Sequence, residues 1–378
     1  MEPIYLDHAA TTPIDPNVLE AMVPVYQETF GNPSSVHQFG RKARKLLDDA
    51  RLTIAKSLRA KEREIIFTSG GTEADNLAII GTAMANQHKG KHIITTAVEH
   101  HAVLHAVEYL EKEGFEVDYL PVNEAGQIRV KDFQSLLRDD TILVSIMMVN
   151  NETGVIQPIE EIAALTADHQ AYLHSDIVQA YGLFSIDVEK LPIDLLAVSS
   201  HKINGPKGIG FLYVREGTLL QSLQHGGEQE RKRRAGTENI PAAAGFERAV
   251  KLLMETRTDN INHYKKLKQT FLETLEEEVD FTVNGDEEVT VPTIVNVSFP
   301  GMNVETLLTN FDLSGIAASS GSACTAGSVE PSHVLSAMYG SEDERTTNSI
   351  RFSFGSANTE ENVAEAAKRV SQIVKRLS

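Results

Sequence analysis

Three short stretches of the chain carry residues suited to one kind of chemistry. The segment Ile66-Phe-Thr-Ser-Gly-Gly-Thr-Glu-Ala-Asp-Asn76 runs from an apolar stretch through two glycines into a helical pattern. Free N–H groups at such a helix start, with the positive end of its dipole, form a natural phosphate site. Gly70 and Gly71 would let the backbone approach the anion. A capping box made by Thr72 and Asp75 is the plainer reading of the same residues. Lys202 follows an apolar run and precedes a turn containing Gly205, Pro206 and Gly208. A lysine partly desolvated at a strand end is what Schiff-base chemistry requires, because burial lowers its pKa. Most lysines are simply solvated, and Lys207, within the turn, fits that description better. Asp176 closes the segment Ala171-Tyr-Leu-His-Ser-Asp176 just past another apolar run. It can cap the next helix, or it can pair with a protonated pyridine nitrogen.

Four further features bear on the same chemistry. Cys324 is the only cysteine, and its flanks are small residues, Ser319-Ser-Gly-Ser-Ala and Thr325-Ala-Gly-Ser328. A structural cysteine sits among apolar neighbours, whereas this composition suits an accessible thiol. His101 and His105 stand four residues apart on a helical pattern, but Ala102 replaces the glutamate of a zinc-protease motif, so no metal is expected. Arg351 alternates with apolar neighbours in Ile350-Arg-Phe-Ser-Phe354, so it either faces inward as a carboxylate fork or outward. The run Arg231–Arg234 is the one basic cluster and reads first as a solvated face. No P-loop, no G-x-G-x-x-G after the first strand, no H-E-x-x-H and no G-x-S-x-G elbow is present.

These side chains need strand ends to hold them. Apolar runs suggest strands at Glu64–Thr68, His92–Thr96, Glu116–Leu120, Thr141–Val149, Ala171–Ser175, Asp194–Ser199 and Ile209–Val214. Helical patterns at Arg41–Leu58, Glu73–Asn86, Ala102–Lys112 and Ile159–Asp168 alternate with them, the signature of an α/β domain around a mostly parallel sheet. The link between the last two strands is too short for a helical crossover, so that pair should be antiparallel. Beyond residue 240 the pattern changes. A long helix over Ala242–Glu277 should break near Thr256–Asn262. Strands at Val291–Phe299, Ile316–Ala318 and Ser349–Phe354, with helices at Val304–Asp312 and Glu360–Leu377, suggest a smaller α+β domain joined by the N-terminal segment.

Composition narrows the possibilities. The 378 residues contain 35 Lys+Arg and 53 Asp+Glu, a formal net charge of −18, which argues against a direct nucleic-acid binder. A single cysteine excludes an intramolecular disulfide and a cysteine-rich zinc site, and it suits a reducing compartment. The opening Met-Glu-Pro-Ile-Tyr has no basic n-region and no apolar h-region, and no apolar run approaches the ~18 residues of a membrane span. A cytoplasmic location without membrane contact is expected.

The order phosphate loop, aspartate, lysine resembles that of pyridoxal 5′-phosphate (PLP) enzymes. With Ser199-Ser-His-Lys202, Asn150-Asn-Glu-Thr-Gly154, Tyr5-Leu-Asp-His-Ala-Ala-Thr-Thr-Pro13 and Ser319-Ser-Gly-Ser-Ala-Cys324, the chain is similar over essentially its whole length to cysteine desulfurases of the NifS/IscS type, in the class V aminotransferase family. The resemblance implies an α/β fold, the PLP-dependent transferase fold type I. Its large domain, residues 14–255, would hold a mostly parallel seven-stranded sheet. Its small α+β domain, residues 1–13 and 256–378, would carry the cysteine loop. Lys202 would hold PLP and move the substrate α-proton. Asp176 would pair with the pyridine nitrogen, and Gln179 would contact the phenolic oxygen. Gly71, Thr72, Ser199 and His201 would hold the phosphate, joined by Thr237 from the other subunit of a homodimer. His100 would stack on the ring, and Asn151 and Arg351 would bind the substrate carboxylate. Cys324 would take the sulfur of L-cysteine as a persulfide, leave L-alanine, and pass sulfur to an iron–sulfur scaffold or a tRNA-thiolating enzyme. His8 stands where relatives often have tyrosine.

Other PLP enzymes of the same fold, such as a selenocysteine lyase or an aminotransferase, share most of these residues. The long segment Ser319–Val329 around Cys324 favours the desulfurase and its longer-loop branch. A catalytically silent sulfur-relay partner would not need Lys202, Asp176 and His100 together.

Overall fold

The computed structural model describes residues 2–321 and 331–378. Cys324 therefore lies outside the described residues. Seven strands form the main sheet, in the spatial order Ile65–Thr68, Gly210–Val214, Leu195–Ser199, Tyr172–Asp176, Thr141–Ser145, His92–Thr96 and Glu116–Leu120. Gly210–Val214 runs antiparallel to both of its neighbours, as the short link before it requires, and the remaining pairs are parallel. The interior strands are apolar on both faces because helices cover both, and Leu195–Ser199 and Gly210–Val214 are buried at every position. Glu116–Leu120, at the edge, is exposed at Glu116 and Tyr119 and carries Glu116 and Asp118, charges that blunt an open edge.

A second core lies C-terminal to the sheet. Ile294–Ser298 pairs antiparallel with both Thr282–Val283 and Ser349–Ser353. The helices Val304–Leu313 and Glu360–Leu377 pack on this sheet and bury Leu307, Phe311, Val363 and Val370. Phe271 sits 4.6 Å from the ring of Phe352 and closes the layer. The N-terminal strand Ile4–Tyr5 runs parallel to Ile316–Ala317, and Asp7 bridges to Ser353. The first residues thus belong to the second core, and the chain then passes directly to Lys202, whose Nζ donates to the carbonyls of Ala9 and Ala10.

The helix Ile240–Glu276 continues without the expected break. The Thr256 hydroxyl donates to the Leu252 carbonyl and accepts from Asn260 Nδ2, so these polar residues find partners inside the helix. They are polar because this stretch bridges the two cores. The helix buries Phe246, Ala249 and Val250 in the first core and Tyr264, Leu267 and Phe271 in the second. Among the described residues no helix is long and apolar enough to cross a membrane.

Candidate active site

The parallel strands end on one edge of the sheet, where open α/β sheets bind ligands. A cavity of about 580 Å³ opens there. Gly71, Thr72, Ser199 and His201 line both this cavity and an adjoining pocket of about 330 Å³. The first of these residues opens the helix Gly71–Asn86, whose cap Gly70 offers no side-chain bond to the first N–H groups. Gly70 holds φ 156° and ψ −173°, a conformation essentially confined to glycine. The helix start is thereby left available to an anion.

The capping box does not form. Asp75 turns inward instead, fully buried, with Oδ1 3.5 Å from His174 Nε2. Burial, with Asp176 and Glu99 nearby, raises its carboxyl above the ordinary range. Glu73 takes the local role, with Oε2 accepting the Ser69 N–H at 2.7 Å. Its carboxylate also receives both Nε and Nη2 of Arg234. The basic run is therefore only half solvated: Arg231 and Lys232 are exposed, while Arg234 pins its segment to the helix start.

Asp176, Gln179 and Lys202 also line the cavity. Asp176 Oδ1 accepts the Val178 N–H at 2.8 Å, so it both shapes the local turn and presents a buried carboxylate. Burial raises that carboxyl, opposed by the Val178 N–H and by Lys202. The same desolvation, together with Arg351, lowers the Lys202 ammonium to about 8, although Asp176 and Asp7 pull the other way. Gln179 Nε2 donates to the Ala9 carbonyl at 2.9 Å. Lys207 is exposed.

His100, Asn151 and Arg351 complete the lining named above. His100 caps its helix, with Nδ1 accepting the Ala102 N–H at 3.1 Å. His100 lines the cavity and is exposed. Desolvation and Lys202 lower its pKa, so the imidazole is neutral at pH 7. Arg351 faces inward: Nη1 donates to the Asn151 carbonyl at 2.9 Å and Nη2 to Asp7 Oδ1 at 2.8 Å, while Nε has no hydrogen-bond partner among the described residues. Thr237 is exposed and outside this lining.

The titratable residues Asp75, Glu152 and His333 also line the cavity, and sequence reasoning assigns none of them to the site. Asp75 resembled a cap, Glu152 lay unremarked inside Asn150-Asn-Glu-Thr-Gly154, and nothing local distinguishes His333. The His101 ring lies 5.2 Å from that of His105 and 4.8 Å from that of His333. Among the described residues no group of three His, Cys, Asp or Glu is arranged to hold a metal.

This donor set fits PLP. An uncapped helix start accommodates its phosphate, a buried carboxylate its ring nitrogen, and an amine of lowered pKa its aldehyde. When bound, PLP supplies an electron sink beside the substrate α-carbon.

Known proteins agree. The family model "Aminotransferase class-V" matches residues 4–365. The chain is 57% identical over 379 residues, all of both chains, to a Bacillus subtilis (strain 168) relative named for cysteine desulfurase IscS 1. It is 46% identical over 375 residues to the cysteine desulfurase IscS of Clostridium botulinum (strain Hall), covering 98% of this chain and 94% of the relative. The solved structure of a NifS-like protein superposes with a TM-score of 0.93 at 36% identity, covering 99% of this chain and 100% of that one. The chain belongs to the class-V aminotransferase family, as a PLP-dependent cysteine desulfurase.

Proposed function

We propose that Lys202 carries the cofactor and moves the substrate α-proton, while Cys324 takes the sulfur of L-cysteine. The observation that carries this division of labour is the convergence of Lys202, Asp176 and Arg351 on one cavity, with the lysine held near 8. A lysine near that value is partly neutral at pH 7 and can act as a base. Arg351 and Asn151 bind the substrate carboxylate, a role supported by a buried guanidinium already oriented through two of its nitrogens. Gly71, Thr72, Ser199 and His201 hold the phosphate. His201, lowered to about 4 by burial and Lys202, meets it as a neutral donor. Gln179 contacts the phenolic oxygen, and the neutral His100 stacks on the ring.

Sulfur moves by displacement. The Cys324 thiolate attacks the substrate sulfur, an S–S bond forms, and the carbon–sulfur bond breaks. The electron pair stays with the β-carbon, which takes a proton and becomes the methyl group of L-alanine. The persulfide then passes to an acceptor protein, an iron–sulfur scaffold or a tRNA-thiolating enzyme. The acidic chain favours reaching tRNA through a partner over direct contact.

The working form is a cytoplasmic homodimer in which Thr237 reaches the partner's phosphate. Two features support it. Thr237 is exposed and lies outside its own chain's cavity lining. Leu19, Val23 and Tyr26 share one face of the helix Pro16–Glu28, and with Phe30, Val36 and Phe39 they leave large apolar side chains 42 to 88% exposed. The folding units are residues 14–255 and a small domain of 1–13 and 256–378.

Replacing Cys324 with alanine tests the central assignment. The variant should keep the yellow cofactor absorbance and pass no sulfur to an acceptor. Sustained turnover with acceptor would remove Cys324 from the mechanism.

A further inference from the structure

The buried carboxylate of Glu152 has no part in the division of labour above. Glu152 is 1% exposed and lines the active-site cavity beside Asn151. Its main chain is fixed on both sides: its N–H donates to Asn150 Oδ1 at 2.9 Å, and its carbonyl accepts Asn296 Nδ2 at 3.2 Å. Burial raises its carboxyl, opposed by His333, Ser332 and Arg351.

Two separate parts of the chain meet that carboxylate. One arrives along Arg351, where Ser319 exchanges backbone hydrogen bonds of 2.7 and 3.3 Å with the arginine. Two residues later Gly321 lies so close to Glu152 that a Cβ there would stand 1.9 Å from Oε2 and 2.3 Å from the carboxyl carbon. The other part begins at Ser332, whose hydroxyl donates to the same Oε2 at 2.5 Å. The Ser332 hydroxyl also accepts the Leu335 N–H and so starts the helix His333–Tyr339. His333 extends this end of the contact, with Nε2 donating to the Glu99 carbonyl at 2.9 Å. Gly321 and Ser332 stand on either side of the stretch that bears Cys324.

We propose that Glu152 is a positioning residue for sulfur transfer: one carboxylate clasps the two described ends of the Cys324-bearing stretch and ties them to Arg351 and Asn151. The inference rests on Cys324 being the thiol that takes the sulfur. A reacting thiol must come within about 3–3.5 Å of the substrate sulfur, and a misplacement of about 1 Å costs on the order of a hundredfold. Fixing both ends against the groups that hold the substrate carboxylate refers thiol and substrate to one anchor.

The test uses PLP-loaded enzyme in a single turnover with L-cysteine. Persulfide on Cys324 is read from the mass of the quenched chain, and L-cysteine affinity from the cofactor spectrum. Glu152→Ala should slow persulfide formation by about tenfold or more, leaving cofactor content and L-cysteine affinity within about threefold. Glu152→Gln, which keeps an oxygen for the Ser332 hydroxyl, should restore most of that rate. Gly321→Ala leaves Glu152 in place and pushes its carboxylate away, so it should behave like Glu152→Ala and serves if the latter folds poorly. The inference fails if Glu152→Ala and Gly321→Ala load Cys324 at the unmodified rate. It also fails if affinity and loading fall together, or if Glu152→Gln is as slow as Glu152→Ala. An unmodified chain that turns over without placing sulfur on Cys324 overturns the Cys324 assignment, and this inference with it.

Discussion

Because burial and the Arg351 guanidinium hold the Lys202 ammonium at about 8, the cofactor-free chain should capture PLP with a pH profile that an ordinary lysine does not give. An amine of that pKa is about 9% neutral at pH 7 and about 91% neutral at pH 9, so the capture rate should rise about tenfold and then level. A lysine at the ordinary value would gain about a hundredfold over the same interval and keep climbing. Stopped-flow absorbance of the cofactor-free chain mixed with PLP reads the rate directly, with Lys202→Arg as the blank. Two substitutions move the midpoint in opposite directions. Arg351→Gln removes a charge that depresses the lysine and should shift the midpoint upward; Asp176→Asn removes one that supports the ammonium and should shift it downward. A rate that rises without a plateau to pH 9.5, or two variants with unmoved midpoints, would refute the electrostatic account of this site.

Other consequences are open to measurement. Glu99 is fully buried and held up to about 8, chiefly by desolvation, so the folded chain binds its proton more tightly than the unfolded chain does. Its contribution to stability is full below about 4.5 and lost as the pH rises through about 8, and the urea midpoint of Glu99→Gln should fall less steeply over that window than the unmodified chain's. Arg51 and Glu230 form a buried bidentate pair at 2.7 Å, and the carboxylate also accepts the Phe67 N–H. Arg51→Ala strands that carboxylate and should cost about 3–5 kcal/mol in urea unfolding, while Arg51→Met with Glu230→Met should recover much of the loss. At Gly71 a Cβ would meet Val178 Cγ2 at 2.9 Å. Gly71→Ala should therefore weaken PLP binding by about tenfold or more in an absorbance titration, with a small change in unfolding midpoint.

The strand ends were legible because fully covered parallel strands read as unbroken apolar runs. The longest overrun, Thr141–Val149, ends as a strand at Ser145, yet Ile146 to Val149 stay buried in the segment that follows, so hydropathy alone cannot mark the boundary; Val291–Phe299 likewise narrows to Ile294–Ser298. The helix at Thr256 and Asn260 misled for the opposite reason: polarity there reflects a crossing between cores, not a break. In the site, Lys202, Asp176 and the glycine pair were visible because each sits where a strand ends, a position that sequence periodicity locates. Asp75, Glu152 and His333 were not visible as site residues, since their roles arise from tertiary approach. Asp75 meets a strand about 100 residues away in sequence, and Glu152 meets Gly321 and Ser332.

The helix Ile240–Glu276 spans about 55 Å at 1.5 Å per residue and is the long element shared by both cores. Exposed positions in its middle, such as Glu255, Thr258 and Asp259, accept many polar side chains, yet the segment cannot accept a change in length. One residue inserted between Val250 and Tyr264 would turn everything beyond it by about 100° around the helix axis. Arg351, carried by the second core, would then be rotated away from Lys202, held by the first. Active-site registry is thus stored partly as helical phase, in a segment whose Leu253, Thr256 and Asn260 line a pocket together with Lys202. That segment tolerates exchange at its exposed positions and is locked in count.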